Sequence, residues 1–320
     1  MKAAVYTRYG TPDILRIEDV EKPTVAPDQL LVRVHATTVN RTDCANLTAK
    51  PFIMRFVNGL IRPRKPIPGT EFSGVVEVTG TAVKSFRVGD KVFGFDDSIL
   101  SSQAQYMAIS EHQAVARMPE DVTFEQAAAS IEGAHYAYNM INKVDLQAGQ
   151  SVLVNGASGG IGSAAVQLLK ARGINVTGVC GSKNVELVRA LGIDRVIDYT
   201  HSDFTQDERQ YDCVFDTVGK STFGKCRRLL KPGGVYISSE LGFMAQNLVF
   251  TLVTPLFRGR KVKFPLPLDK KGSVLLVKKL MEQGRFMPVI DRLYPLDEIA
   301  EAYKYVARGH KVGNVVISVD

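Results

Sequence analysis

Short apolar runs separated by Pro, Gly and Asp dominate the first 122 residues of the 320-residue chain. The runs are rich in β-branched residues and bounded by turn-forming residues, which is typical of β-strands. A helix-period pattern occurs in this part only at residues 43–60. The pattern predicts a twisted, barrel-like β domain with strands at Ala3–Tyr6, Leu30–His35, Phe72–Val78 and Lys91–Gly94.

Two helical segments follow this β-rich part. Thr123 and Gln126 have the spacing of a capping box that opens a helix through Ala129. Gly133 interrupts the helical pattern, and a second helix is predicted from His135 to about residue 143. We therefore expect the junction between two domains here.

From residue 151 onward, strand and helix patterns alternate. The predicted helices, 160–172 and 184–191, each end at a glycine. Strands that alternate with helices form a parallel, doubly wound sheet of an α/β domain. The predicted strands are 151–156, 174–181, 195–199, 211–218 and 233–239, with Val262–Leu268 completing the sheet.

The remaining segments set the domain boundaries. Residues 243–257 form an apolar helical segment that would cover a substrate pocket, form a subunit interface or pack in the core. Amphipathic helices are predicted at 275–284 and 296–308. The last strand, 314–319, has no place in the parallel sheet without a crossover, so we expect it to return to the N-terminal domain. The expected domains are 1–122 with 267–320, and 123–266.

A glycine-rich stretch lies between the apolar run Ser151–Val154 and an amphipathic segment. Strand, glycine turn and helix form the context in which such a stretch binds a dinucleotide. Small residues let the backbone approach a pyrophosphate, and the helix start offers unpaired N–H groups and a positive dipole end. As a variant of G-x-G-x-x-G, the turn predicts a cofactor site at Ala157, Ser158, Gly159, Gly160, Ile161 and Gly162.

The residues after the second strand of this unit indicate which cofactor binds. An NAD site places an acidic residue about 20 residues beyond the glycine turn. Residues 179–184 contain no Asp or Glu but offer a hydroxyl, an ammonium group and a helix start, which suit a 2′-phosphate. The sequence therefore predicts NADPH, bound at Cys180, Gly181, Ser182, Lys183 and Tyr199.

Ligands of doubly wound sheets bind beyond the carboxyl ends of the strands. Two further strand ends of the sequence carry small polar residues, at 216–219 and 238–241. We expect Thr217, Val218, Ser238 and Leu241 to line the nicotinamide and ribose. An ordinary loop is the alternative for each strand end.

Composition excludes several classes of protein. The net charge of +7 is scattered apart from residues 62–65, which favours a solvated surface over nucleic-acid binding. The four cysteines contain no C-x-x-C pair, which suits a reducing compartment rather than a disulfide framework. The longest apolar stretch, 248–257, is too short to cross a bilayer, and the first residues resemble a strand rather than a signal peptide. We expect a cytoplasmic protein.

The chain resembles the medium-chain dehydrogenase/reductase superfamily, in its zinc-free quinone oxidoreductase (zeta-crystallin-like) branch. The resemblance covers nearly the whole chain and rests on the glycine turn together with Val39–Asp43, Gly69–Gly74, Val88–Val92 and Gly309–Asn314. It implies a GroES-like β-rich catalytic domain, a Rossmann domain, NADPH as cofactor and a homodimer. No nucleic-acid partner is expected.

The resemblance also indicates the chemistry. Zinc-dependent members carry Cys where this chain has Asn40 and His where it has Thr70, so a tetrahedral catalytic zinc is not expected. Without a Lewis acid, a ready hydride acceptor such as a quinone or an α,β-unsaturated carbonyl fits better than an alcohol. The resemblance implies catalytic roles for Asn40, Thr42 and Tyr136, with His135 as a weaker candidate, and adds Asn314 to the cofactor contacts.

Two departures leave the substrate open. Arg41 and Ala45 replace a Pro and a Tyr that many relatives carry, and the segment 51–68 is longer and basic. The alternatives are a zinc-free alcohol or aldehyde oxidoreductase, and an NADPH-binding protein with little turnover, crystallin-like or RNA-binding. No aromatic–basic platform of the kind that binds RNA supports the last alternative.

The cofactor choice predicts a selective effect of one substitution. Lys183→Ala should weaken NADPH binding by about 10- to 100-fold, because a charge-assisted hydrogen bond to the 2′-phosphate is lost. NADH lacks this phosphate, so its dissociation constant should barely change. Fluorescence titration with both cofactors measures this difference, and an equal loss for both would contradict the 2′-phosphate role.

Overall fold

The computed structural model describes residues 1–52, 54–98, 100–257 and 259–319. The chain divides into two compact units: Met1–Glu132 with the segment from Lys270 onward, and Gly133–Asp269. The first division falls after Glu132 rather than after residue 122, because helix Phe124–Ala128 packs on strands of the first unit.

The strands, in chain order, are β1 (Lys2–Val5), β2 (Arg16–Asp19), β3 (Gln29–Val39), β4 (Glu71–Thr79), β5 (Lys91–Phe95), β6 (Tyr106–Ser110), β7 (Val115–Arg117), β8 (Ser151–Asn155), β9 (Asn175–Cys180), β10 (Arg195–Asp198), β11 (Tyr211–Asp216), β12 (Leu230–Ser238), β13 (Lys261–Lys263), β14 (Ile290–Pro295) and β15 (Asn314–Ser318). The α-helices are α1 (Arg41–Thr48), α2 (Met54–Asn58), α3 (Phe124–Ala128), α4 (Glu132–Ile141), α5 (Gly160–Ala171), α6 (Val185–Ala190), α7 (Phe223–Cys226), α8 (Gln246–Val253), α9 (Lys270–Glu282) and α10 (Ile299–Ala307).

Strand β3 organises the first unit. It pairs antiparallel with β4, β6 and β15, so the last strand returns to the N-terminal part as the sequence predicts. Strand β14 then pairs parallel with β15. Apolar side chains of this sheet form a core with α10, in which Phe72, Met107 and Tyr303 are fully buried.

The sequence predicts two helical features near this sheet, a capping box at Thr123 and a helical pattern at residues 43–60. The predicted capping box is confirmed, because Thr123 Oγ1 accepts from Gln126 N at 3.2 Å and Gln126 Oε1 accepts from Thr123 N at 3.0 Å. The helical pattern at residues 43–60 forms two helices, α1 and α2. Pro51 lies between them and has no N–H to continue the ladder of the first.

The second unit contains the parallel sheet, in the order β10-β9-β8-β11-β12-β13. All its strand pairs are parallel, which confirms the predicted doubly wound α/β fold. The strand expected at 262–268 is wrong in length, since β13 ends at Lys263. Pro265 and Pro267 follow it and cannot donate to a sheet ladder.

The apolar segment 243–257 forms α8 flanked by two short 3-10 turns. One face of α8 packs on β13, with Phe250 against the core of the second unit. Simple core packing does not account for the other face, because Val249 is 54% exposed and Leu252 is 77% exposed. None of the helices in the described part of the chain has the length and apolar character needed to cross a bilayer.

The glycine turn joins β8 to α5 at the centre of the parallel sheet. The N–H groups of Gly156 and Ala157 both donate to Val179 O, at 3.0 and 2.9 Å, which ties the turn to β9. A Cβ on Gly162 would lie 2.0 Å from Gly156 O, so only glycine lets the helix approach the turn this closely. Ala157 is accommodated because Gly178 faces it, where a Cβ would be 2.9 Å away.

This close approach predicts a stability effect. Gly162→Ala should lower the free energy of unfolding by about 2–3 kcal/mol, because overpacking against a backbone carbonyl forces the helix outward. The helical Gly224 is a matched control, since a Cβ there meets its nearest atom only at 3.9 Å. Urea unfolding followed by circular dichroism measures both variants. A Gly162→Ala protein as stable as Gly224→Ala would contradict the packing argument.

Candidate functional site

The N-terminus of α5 is the centre of the predicted cofactor site. Gly159 is the N-cap residue, and no side chain caps the helix there. A Cβ on Gly159 would meet only Gly156 O, at 3.5 Å, so the packing of the protein does not itself require glycine. Ser158, Gly160 and Ile161 are partly exposed beside it. The open space and the backbone N–H groups of the helix start fit a pyrophosphate.

The residues predicted for the adenosine end lie together beyond β9. Cys180 ends the strand and is buried, which raises the pKa of its thiol to about 11 and keeps it neutral. The hydroxyl of Tyr199 lies 3.1 Å from the position of a Cβ on Gly181, while most of the Tyr199 side chain is exposed. Ser182 and Lys183 are exposed on the 3-10 turn that follows.

A carboxylate that the sequence pattern did not reveal lies at this end. Asp198 pairs with Cys180 across β10 and β9, and its Oδ2 accepts from Ser182 Oγ at 2.5 Å. Hydrogen bonds from Ser182 and then Thr200 hold the pKa of Asp198 well below its usual range. The Ser182 hydroxyl therefore has a protein partner, and the ammonium group of Lys183 is the better candidate for a 2′-phosphate.

A buried carboxylate organises the carboxyl edge of β8 and β11. Asp216 is fully buried and accepts from Asn155 Nδ2 at 3.0 Å, from Tyr236 Oη at 3.1 Å and from Ser221 N at 3.0 Å. These three bonds connect three neighbouring segments of the sheet edge. Asp216 therefore supports the predicted nicotinamide site from within.

The four residues predicted to line that site follow β11 and β12. Thr217 is buried and its hydroxyl donates to Asn155 O at 2.7 Å, whereas Val218 is 36% exposed beside Gly156. Ser238 ends β12, where its Oγ accepts from the N–H of Glu240 at 3.2 Å. Leu241 follows and is half-buried. Their cofactor contacts remain predictions.

In the first unit, Asn40 is held by protein partners. It caps α1, where its Oδ1 accepts from Asp43 N at 2.8 Å and Asp43 Oδ2 accepts from Asn40 N at 3.0 Å. Its Nδ2 donates to Thr70 Oγ1 at 2.8 Å. These contacts explain why an amide stands at this position, and a role of Asn40 toward a substrate stays a prediction.

The donor atoms here do not suit a catalytic zinc. Asn40 and Thr70, at the positions of a thiolate and an imidazole in zinc-dependent members, hydrogen-bond each other. Zinc sites of such enzymes use Cys, His and carboxylate ligands in tetrahedral geometry. Among residues 1–52, 54–98, 100–257 and 259–319, no three His, Cys, Asp or Glu side chains are arranged to hold a metal ion.

Behind α1 lies a cluster of buried ionisable groups whose convergence the sequence does not predict. The Thr42 hydroxyl donates to Glu132 Oε1 at 2.7 Å, and Glu132 N donates to Glu71 Oε1 at 2.5 Å. Asp43 and Lys311 lie close enough to influence the titration of this group. The five residues, Thr42, Asp43, Glu71, Glu132 and Lys311, come from four separate chain segments, so no local spacing in the sequence predicts the cluster. The sequence alone accounts for Asp43, which is residue N3 of a capping box.

The other predicted catalytic residues occupy different surroundings. In the second unit, His135 is fully buried and its Nε2 lies 3.1 Å from Pro267 O, which suits a structural histidine. Tyr136 is partly exposed, with its ring edge-on to that of His135. In the first unit, Asn314 begins β15 and its Nδ2 donates to Val289 O at 3.1 Å. The functional roles of Tyr136 and Asn314 stay predictions.

Comparison with known proteins identifies relatives over the whole chain. The profile described as "Alcohol dehydrogenase GroES-like domain" matches residues 26–120, and that described as "Zinc-binding dehydrogenase" matches residues 191–317. The chain is 31% identical to the 2-methylene-furan-3-one reductase of Solanum lycopersicum, over 99% of this chain and 79% of the relative. It is 30% identical to the chloroplastic NADPH-dependent alkenal/one oxidoreductase of Arabidopsis thaliana, with the same coverage.

A solved structure agrees with these matches. The quinone oxidoreductase from Coxiella burnetii superposes with a TM-score of 0.88 at 26% identity, covering 100% of this chain and 99% of the other. The GroES-like match and the parallel sheet confirm the fold class predicted from the sequence. The chain belongs to the medium-chain dehydrogenase/reductase superfamily and is of the quinone oxidoreductase type.

Proposed function

We propose that this protein is an NADPH-dependent, zinc-independent oxidoreductase that transfers hydride to a quinone or an α,β-unsaturated carbonyl. The observation that carries the proposal is the uncapped N-terminus of α5, where Gly159 leaves space that the protein itself does not fill. Relatives named as an alkenal/one oxidoreductase and a furanone reductase support the acceptor class.

The proposed cofactor site uses the turn and the strand ends around it. Lys183 would bind the 2′-phosphate, helped by Tyr199, and the backbone from Ser158 to Ile161 would bind the pyrophosphate. Thr217, Val218, Ser238 and Leu241 would face the ribose and nicotinamide. When bound, the cofactor supplies the hydride from its nicotinamide ring. The name of the Arabidopsis relative, which specifies NADPH, supports this choice.

The acceptor class follows from the donor set of the first unit. Hydroxyl and amide groups at Thr42, Asn40 and Thr70 offer hydrogen bonds but no Lewis acid. Hydrogen bonds suffice to stabilise the oxygen of an acceptor that takes hydride readily, whereas removing hydride from a simple alcohol benefits from a metal ion. Thr42, whose half-buried hydroxyl already donates to a carboxyl, is the residue we expect nearest that oxygen.

We also propose a homodimer without a nucleic-acid partner. The edge strand β13 and the exposed apolar face of α8 are neighbours in the second unit, and both suit pairing with a second copy. The cysteine thiols, including the partly exposed Cys44, are free, which suits a reducing compartment such as the cytoplasm.

The pyrophosphate contact predicts a substitution that affects binding and not stability. Gly159→Ala should weaken NADPH and NADH equally, by 10-fold or more, because the added methyl group occupies the space of the pyrophosphate common to both. The free energy of unfolding should stay within about 1 kcal/mol, as for Gly224→Ala, since the protein leaves room for the Cβ. Fluorescence titration and urea unfolding measure the two effects; unchanged cofactor affinity would place the pyrophosphate elsewhere.

A substrate panel tests the function itself. NADPH oxidation is followed with 1,2-naphthoquinone, an enal and a simple aldehyde, each with and without a metal chelator. We expect turnover of the quinone or the enal that the chelator does not change. Turnover of the aldehyde alone would favour an alcohol or aldehyde oxidoreductase, and tight NADPH binding without turnover would favour a binding protein.

A further inference from the structure

The cluster behind α1 contains more acidic groups than its basic group can neutralise. Asp43, Glu71 and Glu132 are all buried, and Lys311, which donates to Gly313 O, is the lysine beside them. Three buried negative charges next to one positive charge are unfavourable in a medium of low dielectric constant. At least one of these carboxyl groups therefore keeps its proton in the folded protein.

The hydrogen bonds indicate which carboxyl groups are charged. Glu71 accepts from the Thr38 hydroxyl at 2.5 Å and from the N–H of Glu132 at 2.5 Å, and such donors favour the ionised form. Asp43 is engaged in the capping box through Oδ2, and within the described part of the chain its Oδ1 has no hydrogen-bond partner. The Glu132 carboxyl accepts from a neutral side-chain donor, Thr42. Burial raises the pKa of all three carboxyl groups, and the donors to Glu71 oppose that rise. Glu71 is therefore the carboxyl group that ionises most readily beside Lys311, and the protons stay on Asp43 and Glu132.

Only one of the two protonated groups has a route outward. The Glu132 carboxyl contacts the hydroxyl of Thr42, which is half-buried on α1, whereas Asp43 is 1% exposed. A hydroxyl can accept one proton and donate another, so Thr42 can pass a proton on without becoming charged. When Glu132 is protonated, its carboxyl can donate to Thr42 Oγ1 across the same 2.7 Å contact, and the Thr42 proton then turns outward. The carboxyl and the hydroxyl together form a two-residue proton relay.

We propose that Glu132 is the proton reservoir of the reaction and delivers its proton through the Thr42 hydroxyl to the oxygen of the reduced acceptor. This inference rests on the proposed function. As hydride reaches the acceptor, its oxygen takes the Thr42 proton, and Thr42 takes the proton of Glu132. The acceptor gains one hydride and one proton, the cofactor is oxidised, and Glu132 is left as a carboxylate that water reprotonates.

The surroundings of Glu132 suit this role at neutral pH. Burial first, and then the charge of Glu71, raise the pKa of Glu132 to about 8; Thr42 and Lys311 oppose this rise and Asp97 adds to it. Asp43 is the other acidic group that interacts with it, and Arg41 is a further cation near Lys311. Glu132 is therefore protonated below pH 8 and loses its proton as the pH rises through that value.

Three substitutions test the relay. Glu132→Gln keeps the size and the hydrogen bond to Thr42 but cannot supply a proton, so kcat/KM for the quinone or enal should fall on the order of 100-fold. The decline of kcat/KM that the relay predicts for the wild type above pH 8 should be absent from this variant. For Thr42→Val, kcat/KM should fall by a similar factor, because the hydroxyl is lost. Thr42→Ser keeps the hydroxyl and should retain activity.

Several measurements separate the relay from a structural role. The double variant T42V/E132Q should be no slower than either single variant, because two residues of one relay are not additive. NADPH affinity and unfolding midpoint of Glu132→Gln should match those of the wild type. Glu120→Gln, a change at an exposed glutamate of the same unit, should leave all readouts unchanged.

The outcomes distinguish the two proposals. A wild-type protein that turns over the acceptor, with Glu132→Gln equal to it in rate and pH profile, would overturn the relay and leave the proposed function intact. Additive losses in T42V/E132Q would also overturn it. No turnover by the wild type with any acceptor would overturn the proposed function and the relay together.

Discussion

The approach of α5 to the turn that precedes it is a backbone constraint on which the second unit depends. Gly162 lies where a single methyl group would collide with Gly156 O. The turn itself is hydrogen-bonded to Val179 O on the neighbouring strand. Because helix and strand are held this closely, the helix N-terminus points its free N–H groups at one place beyond the sheet. The parallel register then brings the ends of β9, β10, β11 and β12 to the same edge.

The first unit depends on a different constraint, the burial of charge. Burial raises the pKa of its carboxyl groups, and hydrogen bonds within the unit oppose that rise, as Lys311 does for Glu132. The capping box of Asn40 and Asp43 starts α1 beside this cluster, and the start of α4 closes it from another segment. An amide and a hydroxyl at positions 40 and 70 thus belong to a polar network of their own, with hydrogen-bond chemistry in place of metal ligation.

Where sequence reasoning failed, long-range contacts were responsible. Residues 262–268 read as an apolar strand, yet two prolines stop the ladder after Lys263. Residues 123–132 looked like the start of the second domain, but α3 packs on β3 and β4. The sequence pattern does not place Asp198 near the predicted 2′-phosphate site, because only the pairing of β10 with β9 brings it beside Ser182.

The sequence by itself determined the features that are local in origin. These are the strand–glycine turn–helix unit, the Thr123 capping box and the alternation of strands and helices that makes the sheet parallel. Each of them forms from residues that are close together in the sequence. The residue types at positions 40 and 70 are also read directly from the sequence. The tertiary structure decided which distant groups meet. Gly178 makes room for Ala157, and Thr42, Glu71, Glu132 and Lys311 converge from separate segments. The pKa values of the ionisable groups depend on their burial and on the charges of the other groups. The spacing of residues along the sequence predicts neither the burial nor these contacts.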